Sequence, residues 1–365
     1  MSIVGDLRKR LSEWSPLGHG GSTAIGFDIG SEALHFVQLA RAGSGFALRA
    51  LHAIPHGGDP EALMSSPSEL RSGVRAALKG SGFRGRCVVG SPPADEVRLM
   101  VINYSLREGE SQERKLVDLA AERMREPLHD HIIDFVPIRT SEEDRGEHSA
   151  LVAIVREEPV IRHLERLTNA GLEVLALEIS PVAIRRLVAR TSLERISDVV
   201  LVVQIGARTT ELTLLSGRRL LLYRQVAMGA DALIAAVSKA LECDERSARE
   251  LLEGFGVAVG DEREMPTVLR DLLRVELRPV IEQTHKAISY AAFQTRGTPL
   301  DLVYLLEGPL DCPGLDQLFG ELLRSRVERL RPLESVGASR ESAERAKQHR
   351  LGLAVGYALR GLADV

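Results

Sequence analysis

Asp28 stands two places before Gly30 in the run Ala24-Ile25-Gly26-Phe27-Asp28-Ile29-Gly30-Ser31. An apolar strand that delivers a carboxylate to a glycine turn offers two kinds of chemistry. The turn's backbone N–H groups can cradle a phosphate without side-chain charge, and the carboxylate can hold Mg²⁺, usually through the ion's water shell. One such turn means little, because Asp and Gly favour turns anyway. Here the pattern returns 176 positions later in Val200-Leu201-Val202-Val203-Gln204-Ile205-Gly206-Ala207, which runs on through Thr209 to Leu215. Two such hairpins facing each other would clamp the β,γ-phosphates of ATP. Further on, the apolar strand Leu302–Leu306 ends in a glycine loop at Gly308.

The remaining reactive side chains have no such context. His35 sits at the strand position that Glu211 takes in the repeat, which predicts a solvated sheet face. His129, Asp130, His131 and Asp134 cluster, but as polar residues of a helix-to-strand loop, not as metal ligands. Cys87, Cys243 and Cys312 lie outside any ligand spacing, and their odd number predicts reduced thiols in a cytosolic protein. No Ser/His/Asp or Cys/His arrangement supports covalent catalysis.

The elements that position the two turns follow from the apolar pattern. Each turn joins two strands of a hairpin, and each hairpin is followed by another strand (Gly45–Leu51, Arg219–Val226) and a helix (Ser68–Leu78, Asp231–Leu241). The duplication predicts two similarly built α/β lobes. Residues 23–84 begin the first, completed by 171–195 and a closing helix in 341–365. Residues 196–340 form the second, with 227–299 as its helical part. Between them, 85–170 reads as an inserted α+β subdomain. Met265–Thr295 reads as one long helix with a kink at Pro279. Residues 1–22 carry Ile3, Leu7, Leu11 and Trp14 on one helical stripe beside Arg8, Lys9 and Arg10, then a Gly/Ser-rich linker. This arm suits weak attachment to a membrane surface or a partner.

The 365 residues are 44% hydrophobic with a formal charge of -4, which supports a large globular core and argues against nucleic-acid binding by bulk charge. No stretch approaches the ~18 apolar residues of a membrane span, and no signal peptide is evident at the N-terminus.

The order of these motifs resembles the actin-like ATPase superfamily, and within it the type IV pilus assembly protein PilM with its type II secretion relatives. Gly26–Ser31 resembles the first phosphate motif, Ile205-Gly206-Ala207-Arg208-Thr209-Thr210 the second, and Val355-Gly356-Tyr357-Ala358-Leu359-Arg360-Gly361-Leu362 the terminal helix. The resemblance implies an actin-like fold and a cytoplasmic protein peripheral to the inner membrane. It implies as partners the short cytoplasmic tail of a single-span assembly protein, docked in a groove involving the inserted subdomain, and secretion motor components. It also implies an ATP/Mg²⁺ site at Asp28, Gly30, Ser31, Gln204, Gly206, Thr209, Gly229 and Gly308, with Asp28 holding Mg²⁺ through water.

Three positions depart from the family pattern. Gln204 replaces an Asp, and an amide cannot balance Mg²⁺ charge or act as a base. Leu305-Leu306-Glu307-Gly308-Pro309 keeps one Gly and adds a carboxylate and a Pro. Leu252 stands where the family tends to carry a Lys that reaches the adenosine. These departures predict weak or lost ATP binding and a scaffold that works by binding. An active ATPase with nucleotide-gated partner binding is the alternative. A sugar-kinase-like phosphotransferase has no candidate base or cleft.

Overall fold

The computed structural model describes residues 23–30, 32–42, 45–93, 96–138, 146–191, 199–295, 300, 302–306, 308–333, 351 and 353–360. The arm with Ile3, Leu7, Leu11 and Trp14, and also Ser31, Glu307 and the 341–350 part of the expected closing helix, lie outside the described residues. The chain divides into two units, Met1–Thr191 with Pro332–Val365, and Ser192–Arg331.

In the first unit, β1 (Ile25–Ile29), β2 (Ala33–Ala42) and β3 (Gly45–Pro55) form an antiparallel meander. Strands β4 (Cys87–Gly90) and β8 (Glu173–Leu177) extend it in parallel, giving the order β3-β2-β1-β4-β8. Strand β2 lies inside this sheet and is buried without alternation from Leu34 to Leu39. His35 is therefore only 6% exposed, which corrects the expected solvated face. Buried Gln38 satisfies its whole amide: Nε2 donates to Thr23 O (2.8 Å) and Arg84 O (2.7 Å), and Oε1 accepts from Arg84 N (2.7 Å). Helices α1 (Pro60–Met64) and α2 (Pro67–Gly80) follow the meander. α2 turns Leu70, Val74 and Ala77 inward at helical spacing.

A separate three-stranded sheet, β5-β7-β6, comprises β5 (Arg98–Tyr104), β6 (His131–Ile138) and β7 (His148–Arg156). It packs on α3 (Gln112–Met124) around its own core of Ile102, Leu116, Ala120, Ala150, Val152 and Ile154. Of the expected 85–170 insertion, β4 belongs to the first sheet, and α4 (Glu157–Asn169) packs Val160, Leu164 and Leu167 into that sheet's core. His131 and Asp134 lie within β6, not in a loop.

Helix α5 (Ser180–Thr191) and the last described helix, α11 (Ala354–Ala358), complete the first unit. α11 lies hard against β1. A Cβ on Gly26 would fall 1.7 Å from Ala354 O, and one on Gly356 2.9 Å from Ala183 Cβ of α5. Two glycines thus let a helix slot between a strand and another helix. Beside it, Glu178 is buried with both carboxylate oxygens held by arginines: Arg186 at 2.5 and 2.7 Å, and Arg360.

The second unit repeats the plan. β9 (Val199–Ile205), β10 (Thr210–Ser216) and β11 (Arg219–Val226) form the meander, and β12 (Leu302–Leu306) and β13 (Val327–Leu330) add in parallel, in the order β11-β10-β9-β12-β13. Its helices are α6 (Ala230–Ala240), α7 (Glu245–Phe255), α8 (Glu264–Glu276), α9 (Arg278–Gln294) and α10 (Leu315–Leu323). The expected long helix is two: α8 ends and α9 begins at Leu277. Pro279 lies in the first turn of α9, where a missing backbone donor costs nothing.

Candidate functional site: two glycine turns

At the first turn β1 delivers Asp28, paired in register with His35 on β2. The turn closes when Gly30 N donates to Ala33 O at 3.0 Å. His56, at the end of β3, donates from Nε2 to Gly30 O at 3.0 Å, a brace the sequence pattern did not point to. Asp28 Oδ2 accepts from Leu353 N at 3.4 Å, just before α11. Burial nevertheless dominates and pushes the Asp28 carboxyl up to about 6. Next to this strand, His163 of α4 lies 3% exposed with its ring 6.5 Å from that of Phe27. Burial drives its pKa down to about 4.

The second turn has the same backbone. Gly206 N donates to Thr209 O at 2.8 Å, the equivalent of the Gly30–Ala33 bond. Gly206 O and Ala207 O then accept from Ala230 N and Asp231 N, both at 2.9 Å, so the turn also anchors the start of α6. Thr210 Oγ1 donates to Met228 O at 2.7 Å. A Cβ on Gly229 would lie 2.4 Å from Ala207 O, and one on Gly308 2.0 Å from Ile205 O. Gln204, Gly206, Thr209, Gly229 and Gly308 therefore meet at one place within the second unit. Asp28 and Gly30 meet within the first.

The side-chain chemistry differs between the turns. Gln204 Oε1 is buried with no hydrogen-bond partner among the described residues. It faces Glu211 across the β9–β10 ladder, and Glu211 accepts from Tyr223 OH at 2.9 Å. The loop after Gly308 is tied down by arginines: Arg249 donates to Pro309 O at 2.8 Å, and Arg329 pairs with Asp316 at 3.0 Å and Asp311 at 3.1 Å. Between this loop and β9 a cavity of about 20 Å³, lined by Ile205, Leu306, Gly308 and Arg329, has room for about one water. Leu252 is fully buried in the unit's core, which corrects its expected place facing a nucleotide. Arg246 and Arg249 of α7 instead line an open hollow of about 200 Å³ with Asp231, Ile234 and Glu245.

Among the described residues no group of three or more His, Cys, Asp or Glu is placed to hold a metal. Mg²⁺ with a nucleotide asks less of the protein, since phosphates and waters supply most ligands and one or two carboxylates suffice. Asp28 fits that minimum: partial burial raises the cost of its charge, and a cation would relieve that cost. At the second turn, within its own unit, Gln204 offers a neutral oxygen only.

The chain matches the family model for type IV pilus assembly protein PilM over residues 26–362. Among solved structures, it is 26% identical to a chain of a PilM-PilN type IV pilus biogenesis complex, with a TM-score of 0.71 over 93% of this chain and 98% of that one. The ethanolamine utilization protein EutJ from Carboxydothermus hydrogenoformans is 15% identical, with a TM-score of 0.49 over 98% and 99% of the two chains. No curated protein matches the chain. The duplicated five-stranded sheets are those of the actin-like ATPase fold. No helix among the described residues is long and apolar enough to cross a membrane.

Proposed function

The chain belongs to the type IV pilus assembly protein PilM family, and on that premise we propose that it is a cytoplasmic actin-like scaffold of type IV pilus or related secretion machinery. It binds the cytoplasmic tail of a PilN-like inner-membrane assembly protein and is held at that membrane through it. The observation that carries this reading is the match to a chain of the PilM-PilN complex over 93% of this chain, together with a family match over residues 26–362 that takes in the separate β5-β7-β6 sheet. That sheet has its own core, on which Met100 packs, and leaves Leu99 and Val101 half-buried on the opposite face of β5, a surface suited to a short apolar peptide.

Titrating the full chain with a synthetic tail of the PilN-like protein tests the proposal. Saturable binding is expected, and no binding in either calorimetry or pull-down defeats it. Replacing residues 98–154 with a short Gly/Ser linker should abolish binding while the second unit keeps its melting transition.

ATP binding is proposed to be weak or lost. Gln204 supports this, since an amide leaves the second turn without a carboxylate charge to offset Mg²⁺. Asp28 would hold the ion's waters at the first turn, and each turn offers phosphate its backbone groups only. The alternative of an active, nucleotide-gated ATPase is favoured by one observation, the intact glycine geometry of both turns. Calorimetry with Mg-ATP separates the two: micromolar or tighter binding by the native chain would establish the alternative.

A further inference from the structure

The three-stranded sheet has two edges, β5 and β6, because β7 lies between them. In an antiparallel ladder the N–H and C=O of one residue point to the same side, and successive residues alternate. The register pairs Ile102 and Pro137 with Ala150, and Val101 and Val136 with Leu151. Pro137 has no N–H to give the ladder, so its backbone faces outward from β6, as do those of His131, Ile133 and Phe135. Ala150 therefore turns to Ile102, and Val101 faces outward from β5 with Leu99 and Asn103. The Arg123 side chain of α3 agrees with this parity, since its Nη1 donates to Val101 O.

The two edges differ in what they leave open. On β6 the outward donors are mostly spent: His131 N bonds Leu128 O at 3.2 Å, Phe135 N bonds Asp134 Oδ1 at 2.8 Å, and Pro137 has none. A proline and an acidic side chain turned onto the backbone are devices by which a sheet edge refuses another strand. On β5, among the described residues, nothing bonds the outward N–H groups of Leu99, Val101 and Asn103. Of the outward carbonyls there, Val101 O has a partner, and that partner is the long, exposed side chain of Arg123, which can swing away.

We propose that the assembly protein's tail docks on β5 as an added strand, a mode that rests on the tail-binding reading above. Backbone hydrogen bonds hold it, and its side chains alternate between two unlike faces. One face meets Leu99 and Val101, half-buried and apolar. The other is the α3 side, where Arg98 Nη1 reaches Met124 Sδ at 3.8 Å and Arg123 stands exposed. Neither arginine has an ion pair among the described residues, so this side suits a carboxylate. The tail that fits is an extended segment in which apolar and acidic residues alternate. A second copy of β5 fits poorly, because pairing about Val101 brings the Arg123 side chains of both copies together.

The test leaves the protein untouched. Synthetic tails, each N-methylated at one successive backbone position, are titrated against the full chain by calorimetry. Methylation should weaken binding by about tenfold at every second position of the docked segment, and by less than about twofold at the positions between. With the unmodified tail at saturation, amide exchange at Leu99, Val101 and Asn103 should slow by about tenfold or more, while exchange at Ile133 on the other edge stays unchanged. Binding of the unmodified tail without that alternation, or protection at Ile133 in place of the β5 amides, overturns the strand addition and leaves the tail-binding reading standing. No binding of the unmodified tail overturns both. Val101→Pro removes an outward donor and no ladder bond, so it should weaken the tail in the same way. A changed oligomeric state of that variant with tail binding intact would assign the edge to a second copy and overturn the proposal too.

Discussion

The two glycine turns have one backbone and two chemistries. Each closes with a bond from the glycine amide to the carbonyl three residues on, 3.0 Å in the first and 2.8 Å in the second. The polar residue before each turn is a carboxylate in one and an amide in the other, and its cross-strand neighbour is His35 in one and Glu211 in the other. One step further back the pair diverges again: Gly26 lies under α11, whereas its counterpart Val202 is a fully buried core residue. The turns keep what the fold needs. What varies is the charge a ligand would meet and the helix that leans on only one of them.

The largest test of this comparison is steric. Gly26→Ala places a methyl within 1.7 Å of Ala354 O, and Gly308→Ala places one within 2.0 Å of Ile205 O. In both cases the obstacle is backbone, so each should cost about 3 kcal/mol or more in denaturant unfolding. Gly308→Ala acting through the second unit and Gly26→Ala through α11 should differ in one way. Only the latter should also free the Glu178–Arg360 contact, and proteolysis should report it as cleavage near residue 360.

Next is acid stability. His163 titrates near 6.5 when unfolded and about 4 when folded, so the folded state takes up fewer protons between those values. Stability contributed by neutral His163 is present above pH 6.5 and is lost as pH falls toward 4, by about 2–3 kcal/mol. His163→Gln should flatten that slope. The second unit lacks any such buried histidine among its described residues, so its own melting should not respond.

The smallest expected effect exchanges the charges. Asp28 runs the other way from His163: its folded pKa of about 6 lies above the unfolded value, so its stability contribution is complete below pH 4 and is lost as pH rises through 6. Asp28→Asn should raise stability at pH 7–8 by about 1–2 kcal/mol and leave it unchanged near pH 4. It should also steepen the acid slope that Asp28 partly cancels. Gln204→Asp should lose about 1 kcal/mol at neutral pH, because the new carboxylate faces Glu211. If the variant gains Mg-ATP binding that the native chain lacks, the charge is what separates the turns. If neither mutation changes stability or binding, the comparison is only one of shape.

Much of this was legible in the residues. The repeated strand–glycine–strand pattern specifies both meanders, and the helices between them follow from apolar spacing. Three features escaped. His35 looked solvent-facing because alternation predicts one wet face, yet β2 is covered on both. Leu252 stands where the family pattern expects a polar residue, but the inward face of α7 is set by the three-dimensional packing of α6 and α8 around it. The buried Glu178 with its two arginines was invisible because Arg360 is 182 positions away, and no local pattern announces a partner so distant.

The slot formed by Gly26 and filled by α11 has a consequence for synthesis. Asp28 and Leu353 meet although 325 positions apart in the sequence, and the whole of the second unit is translated in between. That unit is contiguous and can close as soon as it leaves the ribosome, while β1 emerges before it and the helix that covers β1 emerges after it. The unit that is begun earlier is thus closed later, and until α11 is released its central strand stays open on one side, the interval in which a nascent chain most needs a chaperone.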